Sequence, residues 1–122
     1  MSGLRWIRID TTMFENPKLL YLKEDHQYKA IICHLEAMAY SGRHGLAGFI
    51  PKAAMRIIDV SPREAARLVD GGLWQLAPGG WQINDWAEFQ LSDEDATARS
   101  DRAKKAAAAR WDKRNGVRAI DA

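Results

Sequence analysis

One segment of the sequence has both ends fixed by local chemistry: Ser61-Pro62-Arg63-Glu64 on one side and Gly71-Gly72 on the other. Serine as cap, proline at the first helical position and glutamate at the third form the signature of a capping box on a pre-set backbone. Two glycines then permit the left-handed conformation that ends helices. The spacing predicts a short helix over 62–70, too short to persist alone in water. It must therefore pack inside a small body, and its neighbours decide which one. Before it, Lys52 to Ile58 offers Ala54, Ile57 and Ile58 as a small apolar face, which predicts about two helical turns, joined by the turn Asp59-Val60-Ser61. After it, Leu73-Trp74-Gln75-Leu76 and Trp81-Gln82-Ile83 flank Ala77-Pro78-Gly79-Gly80, two strand-like runs around a turn rich in residues that permit unusual backbone angles.

Short helix, tight turn, capped helix and hairpin follow the order of a helix-turn-helix with a wing. The rest of the chain fits around it. Ile7 and Ile9 alternate with Arg8 and Asp10, which predicts a short strand over Trp6–Asp10. Asn16-Pro17 opens a short helix with Leu19, Leu20 and Leu22 on its apolar side, stopping near Lys23-Glu24. From Asp25 a longer core helix is expected, because Tyr28, Ile31, Ile32, Leu35, Met38 and Ala39 fall at helical spacing; Ser41-Gly42-Arg43-His44-Gly45 should break it. Phe49-Ile50-Pro51 reads as a brief extended piece, and Asn84 to Phe89 as irregular chain that folds back over the hairpin. Ser92 starts a last helix, with Asp93-Glu94-Asp95 in its first turn, Lys113 and Arg114 near its last, and Asn115-Gly116 as its end. The expected fold class is mainly α with a small β wing: a winged helix-turn-helix over residues 4–90, a basic helical tail over 92–115, and a disordered end over 116–122.

Charge is divided along the chain. Residues 1–98 carry 10 Lys/Arg against 13 Asp/Glu, whereas residues 99–118 carry 8 against 2. A tail of net +6 after a body of net −3 fits contact with a polyanion, or simply a solvated charged helix. In the capped helix, Ala65, Leu68 and Val69 should face the body, while Arg63 and Arg67, four apart, should point outward together. Guanidinium groups so placed suit guanine edges in a major groove, or phosphate. The first-turn N–H groups of Arg63 and Glu64 suit phosphate as well, whereas the carboxylates of Glu64 and Asp70 oppose it. The expected DNA-contacting set is Lys52, Arg56, Ser61, Arg63 and Arg67, then Gln75 and Gln82 on the hairpin, then Arg102, Lys104, Lys105, Arg110, Lys113 and Arg114 in the tail. The hairpin tip carries no charge, so the wing is expected to be mainly structural, with Trp74 and Trp81 in the core. Ala103, Ala107 and Trp111 form a narrow stripe that would instead suit a partner helix.

Enzyme chemistry finds little to work with. His26, His34, His44 and Cys33 show no metal-ligand spacing, and Gly71-Gly72 and Gly79-Gly80 lack the order of a phosphate-binding loop, so no catalytic residue, metal or cofactor is expected. The lone Cys33 is expected in the core of its apolar helix, and a single cysteine gives no disulfide framework. No apolar run approaches the length needed to span a bilayer, and the first residues lack a signal-peptide pattern. A cytoplasmic setting without membrane contact is the expectation.

Several segments together resemble a known family: Trp6 to Asp10, Phe14-Glu15-Asn16-Pro17-Lys18 with Leu22, the helix ending Ala39-Tyr40-Ser41, Gly48-Phe49-Ile50-Pro51, and Gly72-Leu73-Trp74 through Gly80-Trp81-Gln82-Ile83-Asn84-Asp85-Trp86. Over about residues 4 to 90 the chain resembles the N-terminal winged-helix domain of phage replisome-organiser proteins and related small helix-turn-helix proteins of actinobacterial phages. The run from Arg102 to Trp111 resembles the basic segment that often follows that domain. The resemblance implies double-stranded DNA binding at a phage origin or operator, hence replication initiation or transcription control in a host bacterial cell. The replication organisers usually continue into a further domain that recruits a helicase or loader, with no counterpart in these 122 residues. Two functional classes stay open: a DNA-binding protein, alone or as a dimer, and an interaction module that keeps the fold but docks a host or phage protein through its Trp-rich wing or its tail.

Overall fold

The computed structural model describes residues 3–121, save the side chains of residues 93, 94, 96, 97 and 112–121. The chain forms two units, Met1–Gln90 and Leu91–Ala122. The first is mainly helical with a small three-stranded antiparallel sheet. Its elements are a 3-10 helix (Met13–Glu15), α1 (Pro17–Glu24), α2 (Tyr28–Arg43), β1 (Phe49–Pro51), a second 3-10 helix (Lys52–Arg56), α3 (Pro62–Asp70), β2 (Trp74–Ala77), β3 (Gly80–Ile83) and the single turn α4 (Trp86–Phe89). The second unit is one helix, α5 (Asp93–Asp121).

Local chemistry explains most of these boundaries. The Asn16 side chain accepts the Lys18 N–H at 3.0 Å, capping α1 just before Pro17. The hairpin forms as the sequence predicts, with Leu76 opposite Trp81 and Ala77 opposite Gly80. Gly79 sits at φ +82°, the position after proline in a turn that only glycine takes without strain. Gly80 answers to a different demand. β1 pairs with β3 on the side away from β2, giving the order β1-β3-β2, and a Cβ at Gly80 would lie 2.0 Å from the Ile50 carbonyl oxygen.

The core gathers around α2, which packs on α1, α3 and β1. Leu19, Leu22, Ala37, Ile50, Leu68 and Trp74 are essentially fully buried. α2 departs from the apolar stripe that its sequence predicts. Ala30, Ile31, Cys33, His34, Ala37 and Met38 are buried, whereas Tyr28 and Ile32 are 55% and 53% exposed and Ala39 is exposed. The reason is steric: a helix covered on several sides needs small residues where its neighbours approach, and Ala30, Cys33 and Ala37 supply them. α2 also runs through Ser41-Gly42, where a break was expected. The Ser41 hydroxyl donates to the Phe49 carbonyl at 3.1 Å and accepts the Gly48 N–H at 2.7 Å. Gly42 is a packing glycine, since a Cβ there would lie 2.8 Å from Ile7 Cγ2.

Four further expectations are corrected. Residues 6–10 form no strand. The Gln90 side chain takes the place of a neighbouring strand, accepting the Arg8 N–H at 2.7 Å and donating to the Arg8 carbonyl at 2.8 Å. Residues 52–58 give a 3-10 helix ending at Arg56 rather than two α-turns. Residues 86–89 form one helical turn, entered through Asp85 at φ +61°. α5 continues past Asn115-Gly116, because one glycine costs a helix only about 1 kcal/mol. Its start is as predicted, with the Ser92 hydroxyl accepting the Asp95 N–H at 3.1 Å.

Candidate nucleic-acid interface

α3 has the bounds its sequence predicts, but its first turn is built differently. The Ser61 side chain makes no capping bond, and Glu64 turns inward instead of closing a box. Glu64 is only 8% exposed, with Oε1 4.0 Å from Lys29 Nζ on α2 and Oε2 without a hydrogen-bond partner. Leu68 and Ala65 anchor the same inner face. The outer face is a stripe of Arg63, Ala66 and Asp70, all exposed. Arg67 does not join Arg63 in solvent: it is half-buried, and its Nη1 lies 3.7 Å from Asp25 Oδ2 in the loop before α2. Such a partly exposed pair contributes at most about 1 kcal/mol, yet it holds the guanidinium beside a carboxylate. Val69, expected to be buried, is half-buried.

Lys52 and Arg56, on the 3-10 helix before α3, are exposed, while Ser61 is half-buried at the entry to α3. On the hairpin the two glutamines differ. Gln75 is exposed, whereas Gln82 is half-buried and donates from Nε2 to the Ala47 carbonyl at 3.0 Å. The hairpin tip is apolar: Leu76 is 75% exposed, and Trp81 opposite it is half-buried. Trp74 is core, its Nε1–H donating to His34 Nδ1 at 3.0 Å.

In α5, every described side chain from Ala98 to Trp111 is exposed, including Arg102, Lys104, Lys105 and Arg110. At 3.6 residues per turn, Arg99, Arg102 and Arg110 share one face with Ala103 and Ala106 between them, while Asp101 lies on the other side. Arg110 bonds weakly back to the Ala106 carbonyl at 3.4 Å. Lys113 and Arg114 lie outside the described side chains.

Burial, and then the carboxylates of Glu64 and Glu36, push the Cys33 thiol up to about 11, so it stays protonated and donates to the Asp59 carbonyl. Among the described residues no group of three or more His, Cys, Asp or Glu side chains is placed to hold a metal, and no helix is long and apolar enough to cross a membrane. Sequence reasoning missed Asp25 and Lys29, which occupy Arg67 and Glu64; nothing local marks either pairing, because each joins residues far apart in the chain. Comparison with protein-family models, with curated proteins and with solved structures gives no match.

Proposed function

We propose that the protein binds double-stranded DNA as a winged helix-turn-helix module, with α3 facing the major groove and α5 following the phosphates. The observation that carries this reading is the order of elements around α3: α2, β1, a short helix, a turn, α3, then a hairpin whose second strand, β3, lies between β1 and β2. In such modules the second helix of the pair reads base edges while neighbouring parts grip the backbone. Arg63 is the base-reading candidate on α3. The positive end of that helix, with Lys52 and Arg56 just before it in sequence, supplies phosphate contacts. Within this proposal, the likeness of residues 4 to 90 to replisome-organiser domains favours a site at a phage origin or operator.

A second reading has its own observations. The body is net negative, the outer stripe of α3 offers one arginine beside Asp70, and Tyr28, Ile32 and Leu76 leave apolar surface uncovered. These features fit a module that docks on a protein or on a second copy.

Fluorescence anisotropy on a labelled 30-base-pair duplex, titrated at several salt concentrations, separates the two. Each neutralised phosphate contributes about −0.9 to the slope of log K against log salt. Replacing Arg102, Lys104, Lys105 and Arg110 by alanine, which preserves helix propensity, is expected to flatten that slope by about 2 to 4 units. Absence of duplex binding at low salt, or a slope that the four substitutions leave unchanged, overturns the reading.

A further inference from the structure

The sequence lays down a wider apolar sector on α2 than the fold covers. At 3.6 residues per turn, Tyr28, Ile32, Leu35 and Ala39 lie within about 60° of one another around the helix. The core takes the opposite side, through Ala30, Cys33 and Ala37. Of the four outer residues, Tyr28, Ile32 and Ala39 are exposed and Leu35 is half-buried. Exposed apolar side chains scattered singly are ordinary, whereas a contiguous stripe along three turns of one helix marks a contact surface.

The charges beside the stripe indicate what covers it. Lys29, Glu36 and Arg43 follow one another at seven-residue intervals along one border. Lys29 reaches Glu64 only at 4.0 Å, and its side chain is 61% exposed. Glu36 accepts the Asp59 N–H through Oε2 alone, at 3.1 Å. Glu24 and Asp25, both exposed, stand just ahead of α2. From Glu24 to Arg43 the signs therefore run minus, plus, minus, plus. Read from the other end, the same border is its own complement. A uniformly charged partner would satisfy half of it, and a second copy running antiparallel satisfies all of it.

The helix geometry allows this pairing in one register. With a two-fold axis passing α2 between Cys33 and His34, Tyr28 of each copy is level with Ala39 of the other, and Ile32 with Leu35. Large residues then meet small ones at the ends, and branched aliphatic residues meet at the centre. The same axis turns the charged border onto itself. Lys29 falls two residues, about 3 Å along the helix, from the level of Glu36 in the second copy. Arg43 comes level with the acidic pair ahead of α2. Parallel helices would instead set this border against the other side of the stripe, where the Leu4 N–H donates to the Gly42 carbonyl and no such charges alternate.

We propose that the protein self-associates as an antiparallel dimer through the Tyr28, Ile32, Leu35 and Ala39 face of α2. The proposal rests on the second reading above, in taking uncovered apolar surface as a contact, and it is independent of DNA binding. Four side chains fall short of the roughly 800 Å² per partner of a standard interface, so the dimer is weak, with a Kd of about 10 to 100 μM.

The test is sedimentation equilibrium of the full chain without DNA, from about 5 to 500 μM, a range set to bracket that Kd. The wild type is expected to pass from monomer to dimer across the range. Ile32→Glu changes an exposed position, so its thermal unfolding should match the parent, while two carboxylates brought into the apolar centre should raise Kd at least about tenfold. Glu36→Lys sets ammonium groups against each other and should raise it about threefold, an effect that salt removes. Orientation is read with a short bis-maleimide crosslinker, to which the buried Cys33 is shielded. In the antiparallel register two copies of position 32 lie about 4 to 5 Å apart along the helix axes, and two copies of position 43 about 28 Å apart. Ile32→Cys should therefore crosslink into dimers and Arg43→Cys should not. A monomer at every concentration overturns the proposal. A dimer that persists unchanged in I32E overturns the assignment to α2, while the second reading would stand on another face. Equal crosslinking at positions 32 and 43 refutes the antiparallel register.

Discussion

Acid should weaken the fold through His34, in a window its burial defines. Burial lowers the imidazole from its ordinary 6.5 to about 4. Protonation would fall on Nδ1, where the Trp74 N–H already donates, so the cation would lose that bond and oppose a second donor. Between pH 6.5 and 4 the unfolded chain takes up a proton at this position and the native state does not. Stability then rises with pH across the window: it is fully present above about 6.5, falls as pH drops, and levels once pH is below the native value. A depression of this size corresponds to about 2 kcal/mol lost by pH 5 and about 3 by pH 4. That is a large part of the 5 to 15 kcal/mol typical of a domain, and it should move a urea midpoint by about 1 to 2 M. The measurement is urea unfolding followed by tryptophan fluorescence from pH 8 to 4.5, with His34→Asn in parallel. Asparagine keeps an acceptor near the Nδ1 position without titrating there, so its curve should start lower and stay flatter. A native His34 that titrates near 6.5 by NMR, or wild-type and H34N curves with the same pH slope, would refute the reasoning.

Other perturbations follow from single contacts. Leu68→Ala empties a fully buried position on α3 and should cost about 2 to 5 kcal/mol in denaturant unfolding; a mutant as stable as the parent would show that the helix faces are reversed. Gly80→Ala places a methyl against the Ile50 carbonyl and should destabilise by more than the roughly 1 kcal/mol of an ordinary glycine change, because backbone must move; unchanged thermal unfolding would show that β1 does not pair there. Arg63→Ala should weaken binding to a selected duplex by about 1 to 3 kcal/mol, and Arg67→Ala by less, because Asp25 already holds that guanidinium. Equal losses in anisotropy titrations would show that Arg67 leaves Asp25 to reach the DNA.

Where structure depends on neighbours in sequence, the chain was readable. The bounds of α3 follow from Pro62 and from Gly71-Gly72, the start of α1 from Asn16-Pro17, and the hairpin from Pro78-Gly79. Where a distant residue decides, it was not. The alternating Trp6–Asp10 segment has strand chemistry, but its hydrogen-bond partner is the side chain of Gln90, so no ladder forms. Glu64 has the spacing of a capping residue, yet Lys29 on α2 draws it inward and Ser61 is left without its bond. By its neighbours in sequence His34 is one more isolated histidine, because its partner Trp74 is 40 positions away. In each case the local rule describes a real preference, and a tertiary contact outweighs it. The finer site suffers most from this, since three of the residues that set the charge of the α3 surface, Asp25, Lys29 and Glu64, act through such contacts.

Those pairings redistribute the work expected of any DNA contact. With Arg67 held by Asp25 and Glu64 turned inward, α3 presents Arg63 and Asp70 across Ala66, which nearly cancel in charge. A surface of that kind contributes little to the salt-dependent part of affinity, which counts neutralised phosphates rather than contacts to bases. Residues 99–118 carry the excess of basic charge, and α5 keeps the side chains of Arg99, Arg102, Lys104, Lys105 and Arg110 in solvent. In the proposed complex the two properties should therefore separate: α5 sets the strength and salt dependence of binding to any duplex, and α3 sets the preference among duplexes. Substitutions in α5 should then move affinity for a selected and a random duplex by the same factor, whereas Arg63→Ala should move only their ratio. If the α5 substitutions change the ratio instead, the basic helix reads sequence or groove shape itself, and the assignment of α3 as the reading element fails.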